Sequence, residues 1–280
     1  MKKLKAIPFV IAALALIGMT LSGKSYVHKI NDHQIKINSS RMNPTILVPG
    51  SSATQERFDS MLESLNNMGH KHSILKLTVK TDNSIRYSGQ ITNNDLRPFI
   101  VIAFENNHDG YANIKKQTAW LNIAMNALQK KYKFKNFNAI GHSNGGLNWT
   151  IFLEKYYDSD DFNIQTLMTI GTPYNFEETN TENRTQMLKD LIANRDNIPS
   201  TLTMYSLAGT STYDADKIVP FASVEAGKYI YQNTAKHYTQ LTVTGSDADH
   251  SDLPSNTEVI QYIADKVLKI NNRRQDRKPQ

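Results

Sequence analysis

From Arg41 onward, short runs rich in β-branched and aromatic residues alternate with longer stretches that carry a helical apolar period. That alternation points to a mostly parallel sheet covered by helices on both faces, because parallel neighbours must be joined by crossovers long enough to hold a helix. Thr45 to Val48 reads as the first buried strand and stops at Pro49-Gly50. A helix is expected from Gln55 to Asn67, where Phe58, Met61, Leu62 and Leu65 fall on one face. Ser73 to Lys80 and Ile85 to Gln90 alternate around Thr81-Asp82-Asn83, as a hairpin at a sheet edge would. The unbroken apolar run Phe99 to Phe104 fits a central strand. Further strands are expected at Phe137 to Ile140, Leu167 to Ile170, Leu202 to Leu207 and Leu241 to Thr244. Helices are expected over Lys116 to Tyr132, Gly145 to Lys155 and Val259 to Ile270. No repeat or low-complexity linker divides the series, so one domain is expected over residues 24–270. The polar stretch Tyr174 to Ser200, with a short helix around Met187 to Ile192, is a candidate lid.

A formal charge of +6 raises nucleic acid as a partner, and its distribution removes that support. Lys2, Lys3 and Lys5 give the first 23 residues +3, and the stretch from Lys269 carries +4, which leaves the body near −1. Three lysines before the apolar run Ala6 to Leu21 are the layout of a secretory signal. That run falls short of the roughly 20 residues that span a bilayer comfortably, so residues 1–23 read as a signal peptide, or else as a retained anchor. Residues 271–280 read as a solvated basic tail that could touch an anionic cell envelope. The absence of cysteine excludes disulfides, thiol nucleophiles, thiolate metal sites and a lipid-modified N-terminal cysteine.

The pentapeptide Gly141-His142-Ser143-Asn144-Gly145 sits between an expected strand and an expected helix. A serine at such a turn adopts a strained backbone that lifts its hydroxyl clear of the sheet, and small residues two before and two after it avoid collisions. A serine hydroxyl needs a base, and the base needs a group to orient it. His250 is best placed, since it follows the last strand by a short polar loop. His237 precedes that strand, His142 lies inside the elbow where it would pack or cap, and His108 could line the site mouth. For the carboxylate, Asp216 is preferred to Asp214 because Ile218-Val219-Pro220 would anchor its loop, and Asp247 and Asp249 read as turn or cap residues. The order Ser143, Asp216, His250 places all three after strands of one sheet. Two N–H donors must face the developing oxyanion. Asn144 supplies one by position, and Ser51, with Ser52 second, supplies the other from the first loop, where Pro49 has no N–H to give.

Together with Pro44 to Gly50, Ile170-Gly171-Thr172-Pro173 and Asp216 to Pro220, these residues resemble the α/β-hydrolase superfamily. The narrower resemblance is to the cell-surface α/β-hydrolases of Gram-positive bacteria, over residues 43–270. It implies an α/β-hydrolase fold with a short cap insertion, an exported serine esterase acting on a small-molecule ester, and no cofactor. The family's triad falls on Ser143, Asp216 and His250. Two departures stand out: Pro49 where such proteins usually have the histidine of His-Gly, and Lys217 where a glycine usually follows the aspartate. A second reading, favoured by Pro49 and the polar insertion, is a surface binding protein that keeps the fold without catalysis. Metal-dependent hydrolysis lacks an H-E-x-x-H pattern, and Asp247 to Asp252 lacks EF-hand spacing.

Overall fold

Successive residues of a strand point to opposite faces, and in the first strand both faces are buried: Ile46 and Val48 join one apolar cluster and Leu47 the other. The computed structural model describes residues 40–270, with Met19, Tyr26, Val27, Lys29, Ile30, Asp32 and Lys36. The chain forms two units, Met1–Ser40 and Arg41–Gln280, so residues 24–40, expected with the body, fall in the first. The seven described residues before Ser40 are helical. Met19 apart, the leader read over residues 1–23 lies outside the described residues, as does the tail over 271–280. Among the described residues no helix is long and apolar enough to cross a membrane.

The second unit holds one eight-stranded sheet. Its strands are β1 (Thr45–Val48), β2 (Ile74–Val79), β3 (Ile85–Gly89), β4 (Phe99–Phe104), β5 (Asn136–His142), β6 (Asn163–Ile170), β7 (Thr203–Thr210) and β8 (His237–Thr244). They lie in the order β3-β2-β4-β1-β5-β6-β7-β8. Only β3 runs antiparallel, as the outer arm of the expected hairpin.

Helices α1 (Asp59–Met68) and α7 (Thr257–Tyr262) cover one face through Met61, Leu62, Leu65, Val259 and Ile260. A π-type turn, Ile263–Val267, extends α7. Helices α2 (Tyr111–Tyr132), α3 (Asn144–Lys155) and α4 (Gln186–Asn194) cover the other face. Two short helices, α5 (Phe221–Glu225) and α6 (Lys228–Tyr231), lie in a stretch where the sequence predicts no element. Helix α1 starts four residues later than the spacing predicts, because residues 55–58 are taken up by turns after the β1 loop. Helix α2 starts five residues earlier, directly after Gly110 at φ 98. In the candidate lid, Met187, Leu188 and Leu191 of α4 are buried in the main core, so this helix is a packed element of the body.

Glu154 stands out on α3. It is buried, and its Oε1 has no hydrogen-bond partner among the described residues. Burial, with Asp190 second, raises its pKa from 4.5 to about 9, so it is protonated at neutral pH. The folded protein therefore keeps a proton that the unfolded chain releases above its ordinary carboxyl range, and stability falls as pH rises from about 4.5 to about 9. Glu154→Gln is expected to stabilise the fold by on the order of 3 kcal/mol at pH 7 and by almost nothing at pH 4. Urea unfolding at the two pH values measures this, and an equal effect at both would refute it.

Candidate active site

Ser143 sits between β5 and α3 at φ 54 and ψ −128, a backbone region that side-chain-bearing residues rarely occupy. The surroundings hold it there. Its N–H donates to Ile170 O at 2.8 Å, and its carbonyl accepts from Thr172 Oγ1 at 3.0 Å. The flanking glycines are dictated by space: a Cβ on Gly145 would lie 2.0 Å from Val48 O, and one on Gly141 would lie 2.5 Å from Gly146 N. The strain at Ser143 is thus maintained by close packing of β5, α3 and the end of β1.

Asp216 and His250 come from the loops after β7 and β8, and the fold brings them together. His250 Nδ1 and Asp216 Oδ2 are 2.7 Å apart, and both side chains are buried. Asp216 Oδ1 accepts from the N–H groups of Ile218 (3.1 Å) and Val219 (2.6 Å), and Asp216 O accepts from His250 N–H at 2.8 Å. With Nδ1 committed to the carboxylate, Nε2 is the ring nitrogen left for chemistry. Lys217 stands at φ 73, a left-handed conformation that favours glycine. Its ammonium pairs with Asp249 Oδ2 at 2.5 Å, which ties the Asp216 loop to the His250 loop. Asp249 is therefore engaged elsewhere, whereas His250 Nδ1 meets Asp216 and not Asp214. Asp247 O accepts from Asn256 Nδ2.

His142 packs beneath the pair, its ring 4.8 Å from that of His250, and its Nε2 donates to His250 O at 3.0 Å. Burial, with His250 second, holds it neutral, well below the usual histidine range. His237 opens β8, at the opposite end of that strand from the loop that carries His250.

The first loop approaches the serine closely. A Cβ on Gly50 would lie 2.5 Å from Ser143 Cβ. Ser52 N–H is committed to Asn107 O at 2.9 Å, which leaves Ser51 as the candidate donor of the loop. Asn144 is the first residue of α3, where backbone N–H groups have no partner inside the helix.

These groups open into one cavity of about 620 Å³, lined by Ser51, His142, Ser143, Asn144 and His250. Its outer wall mixes Glu56, Asp109, Glu177 and Arg57 with Pro173, Phe176, Ile218 and Val219. From the candidate lid, Tyr174 to Ser200, only Phe176 and Glu177 reach this cavity, so the segment walls one side of the mouth. Asp109, and not His108, lines it as well. Arg57, which the sequence does not single out, is half-buried and donates to Ser251 O beside His250.

Several known proteins are similar to this chain. The structure of a Lactobacillus plantarum protein whose name proposes a cell surface hydrolase shares 53% identity, with a TM-score of 0.76 over 82% of this chain and 93% of that one. A Listeria innocua gene product shares 28% identity, with a TM-score of 0.75 over 82% of this chain and 95% of its own. No curated protein matches the sequence. A family model described as an alpha/beta hydrolase of unknown function (DUF915) matches residues 32–270. The sheet order, the strained serine turn and that match agree, and the chain belongs to this α/β-hydrolase family.

Proposed function

We propose that this protein is an exported serine hydrolase that cleaves carboxylic esters through an acyl-enzyme on Ser143. The observation that carries the reading is the buried 2.7 Å contact between His250 Nδ1 and Asp216 Oδ2, in a site that also presents Ser143. Ser143 Oγ attacks the ester carbonyl while His250 Nε2 takes its proton. Asp216 holds the imidazole tautomer and stabilises the imidazolium. The N–H groups of Ser51 and Asn144 receive the negative oxygen of the tetrahedral intermediate. Collapse expels the alcohol, which takes the proton from His250. Water then repeats the sequence against the acyl-enzyme and releases the acid.

The mixed polar and apolar wall of the cavity suits small or polar esters better than long acyl chains. Export is supported by the lysine-led apolar leader and by the name of the Lactobacillus plantarum relative.

A fluorophosphonate probe tests the reading, since it forms a stable phosphonyl ester only with an activated serine. Wild type is expected to be labelled at Ser143 and Ser143→Ala to stay unlabelled. Folded wild type that resists the probe would instead support a binding protein on the same fold.

A further inference from the structure

The two candidate oxyanion donors belong to different parts of the chain, Ser51 to the loop after β1 and Asn144 to the elbow after β5. We propose that a third segment, the loop Glu105–Gly110 after β4, braces both donors, with Asn107 and Asp109 as its positioning residues. The proposal rests on the serine hydrolase reading and names what sets the geometry of that same site.

Asn107 grips the first loop from both sides. Its carbonyl accepts from Ser52 N–H at 2.9 Å, and its Nδ2 donates to Ala53 O at 2.9 Å. Ser52 stands at φ 58, so this loop holds a conformation that a side-chain-bearing residue adopts only under constraint. The constraint falls on the residues directly after Ser51 and fixes how its peptide is presented. Asp109 holds the other donor. Its Oδ1 accepts from Asn144 Nδ2 at 2.7 Å and from Gly110 N–H at 2.7 Å.

The brace is itself rooted. Gln117, buried on α2, donates through Nε2 to Asn106 O (3.1 Å) and His108 O (2.9 Å), the carbonyls on either side of Asn107. Helix α2 is thereby connected through one loop to both donors. Pro49 in the first loop offers no N–H, and the hold on that loop comes from Asn107. Donors must be in place before charge develops, and a displacement of about 1 Å can cost about 100-fold in rate.

The test compares Asn107→Ala, Asp109→Ala and Asp109→Asn with wild type, each rate divided by the active sites titrated with fluorophosphonate. Asn107→Ala and Asp109→Ala are expected to lower kcat by about 10- to 100-fold while KM moves less than about 3-fold. Affinity for a boronic acid that forms a tetrahedral adduct on the serine should fall by the same factor as kcat. The pH dependence of kcat should keep its shape, because Asp216 and His250 are untouched. Asp109→Asn keeps an acceptor for Asn144 and should recover kcat to within about 3-fold of wild type. Asp109 is exposed, so its variants keep the test open if Asn107→Ala fails to fold.

Unchanged kcat per active site in both alanine variants overturns the proposal. So does a loss carried by KM, or an Asp109→Asn as impaired as Asp109→Ala. Wild type that neither takes the probe nor turns over esters sinks the serine hydrolase reading itself, a result distinct from any of these.

Discussion

Ser143→Ala is expected to lower kcat by about 10⁵- to 10⁶-fold on any ester that the wild type turns over, with the protein as stable as before. The size follows from losing the covalent route altogether, which leaves only binding and the oxyanion donors to assist water. The unchanged stability follows from local structure. Alanine keeps the Cβ, so the strained backbone at φ 54 remains, and among the described residues the Ser143 hydroxyl has no hydrogen-bond partner to lose. Steady-state kinetics and a thermal melt on the same preparation check both halves. A rate within about 100-fold of wild type would assign the chemistry to another group.

Asp216→Asn is the next largest, with an expected fall in kcat of about 10⁴-fold. Both carboxylate oxygens receive N–H donors: Oδ2 faces His250 Nδ1, and Oδ1 takes two backbone N–H groups. An asparagine has one oxygen and one NH₂, so neither orientation keeps both the His250 tautomer and the two backbone contacts. If the NH₂ faces His250, the ring must place its proton on Nε2, and it can no longer accept one from Ser143. If it faces the backbone, two buried N–H groups lose their acceptor. The variant should therefore also lose on the order of 1–3 kcal/mol of stability, measurable by urea unfolding. Activity within about 10-fold of wild type would mean that Asp216 shapes its loop without orienting the base.

The candidate site residues are the readable ones because each lies where a regular element ends. The elbow is written as small residues around a serine between a strand and a helix, and Asp216 and His250 follow strands marked by apolar runs. What could not be read is the polar mortar between distant loops. Arg57 meets Ser251, Asn107 meets Ser52 and Ala53, and Asp109 meets Asn144 across wide gaps in sequence, and such contacts carry no period. The short helices after Pro220 escaped for a related reason, being too short to establish an apolar stripe. The lid expectation leaned on the polarity of residues 174–200. The three apolar residues Met187, Leu188 and Leu191 outweighed that average, because one buried face suffices to dock a helix.

Lys217 is a side-chain-bearing residue in a backbone conformation that favours glycine, and the fold absorbs it. The position requires a positive φ, and the lysine offsets that strain by reaching Asp249 across the loops that carry Asp216 and His250.

The places where the body of the chain starts and finishes also bear on how it works when attached to something. Asn43, just before β1, and Ile270, the last described residue, line one pocket together with Thr45, Phe99, Asn138 and Gln165, residues within the first three of β1, β4, β5 and β6. The serine cavity lies past the opposite ends of the strands, after β1, β5, β7 and β8. A tether pulling on either end of this body therefore pulls from the far side of the sheet. Force applied at Asn43 or Ile270 would enter the body at the strand starts, and the serine cavity would lie at the other ends of the same strands.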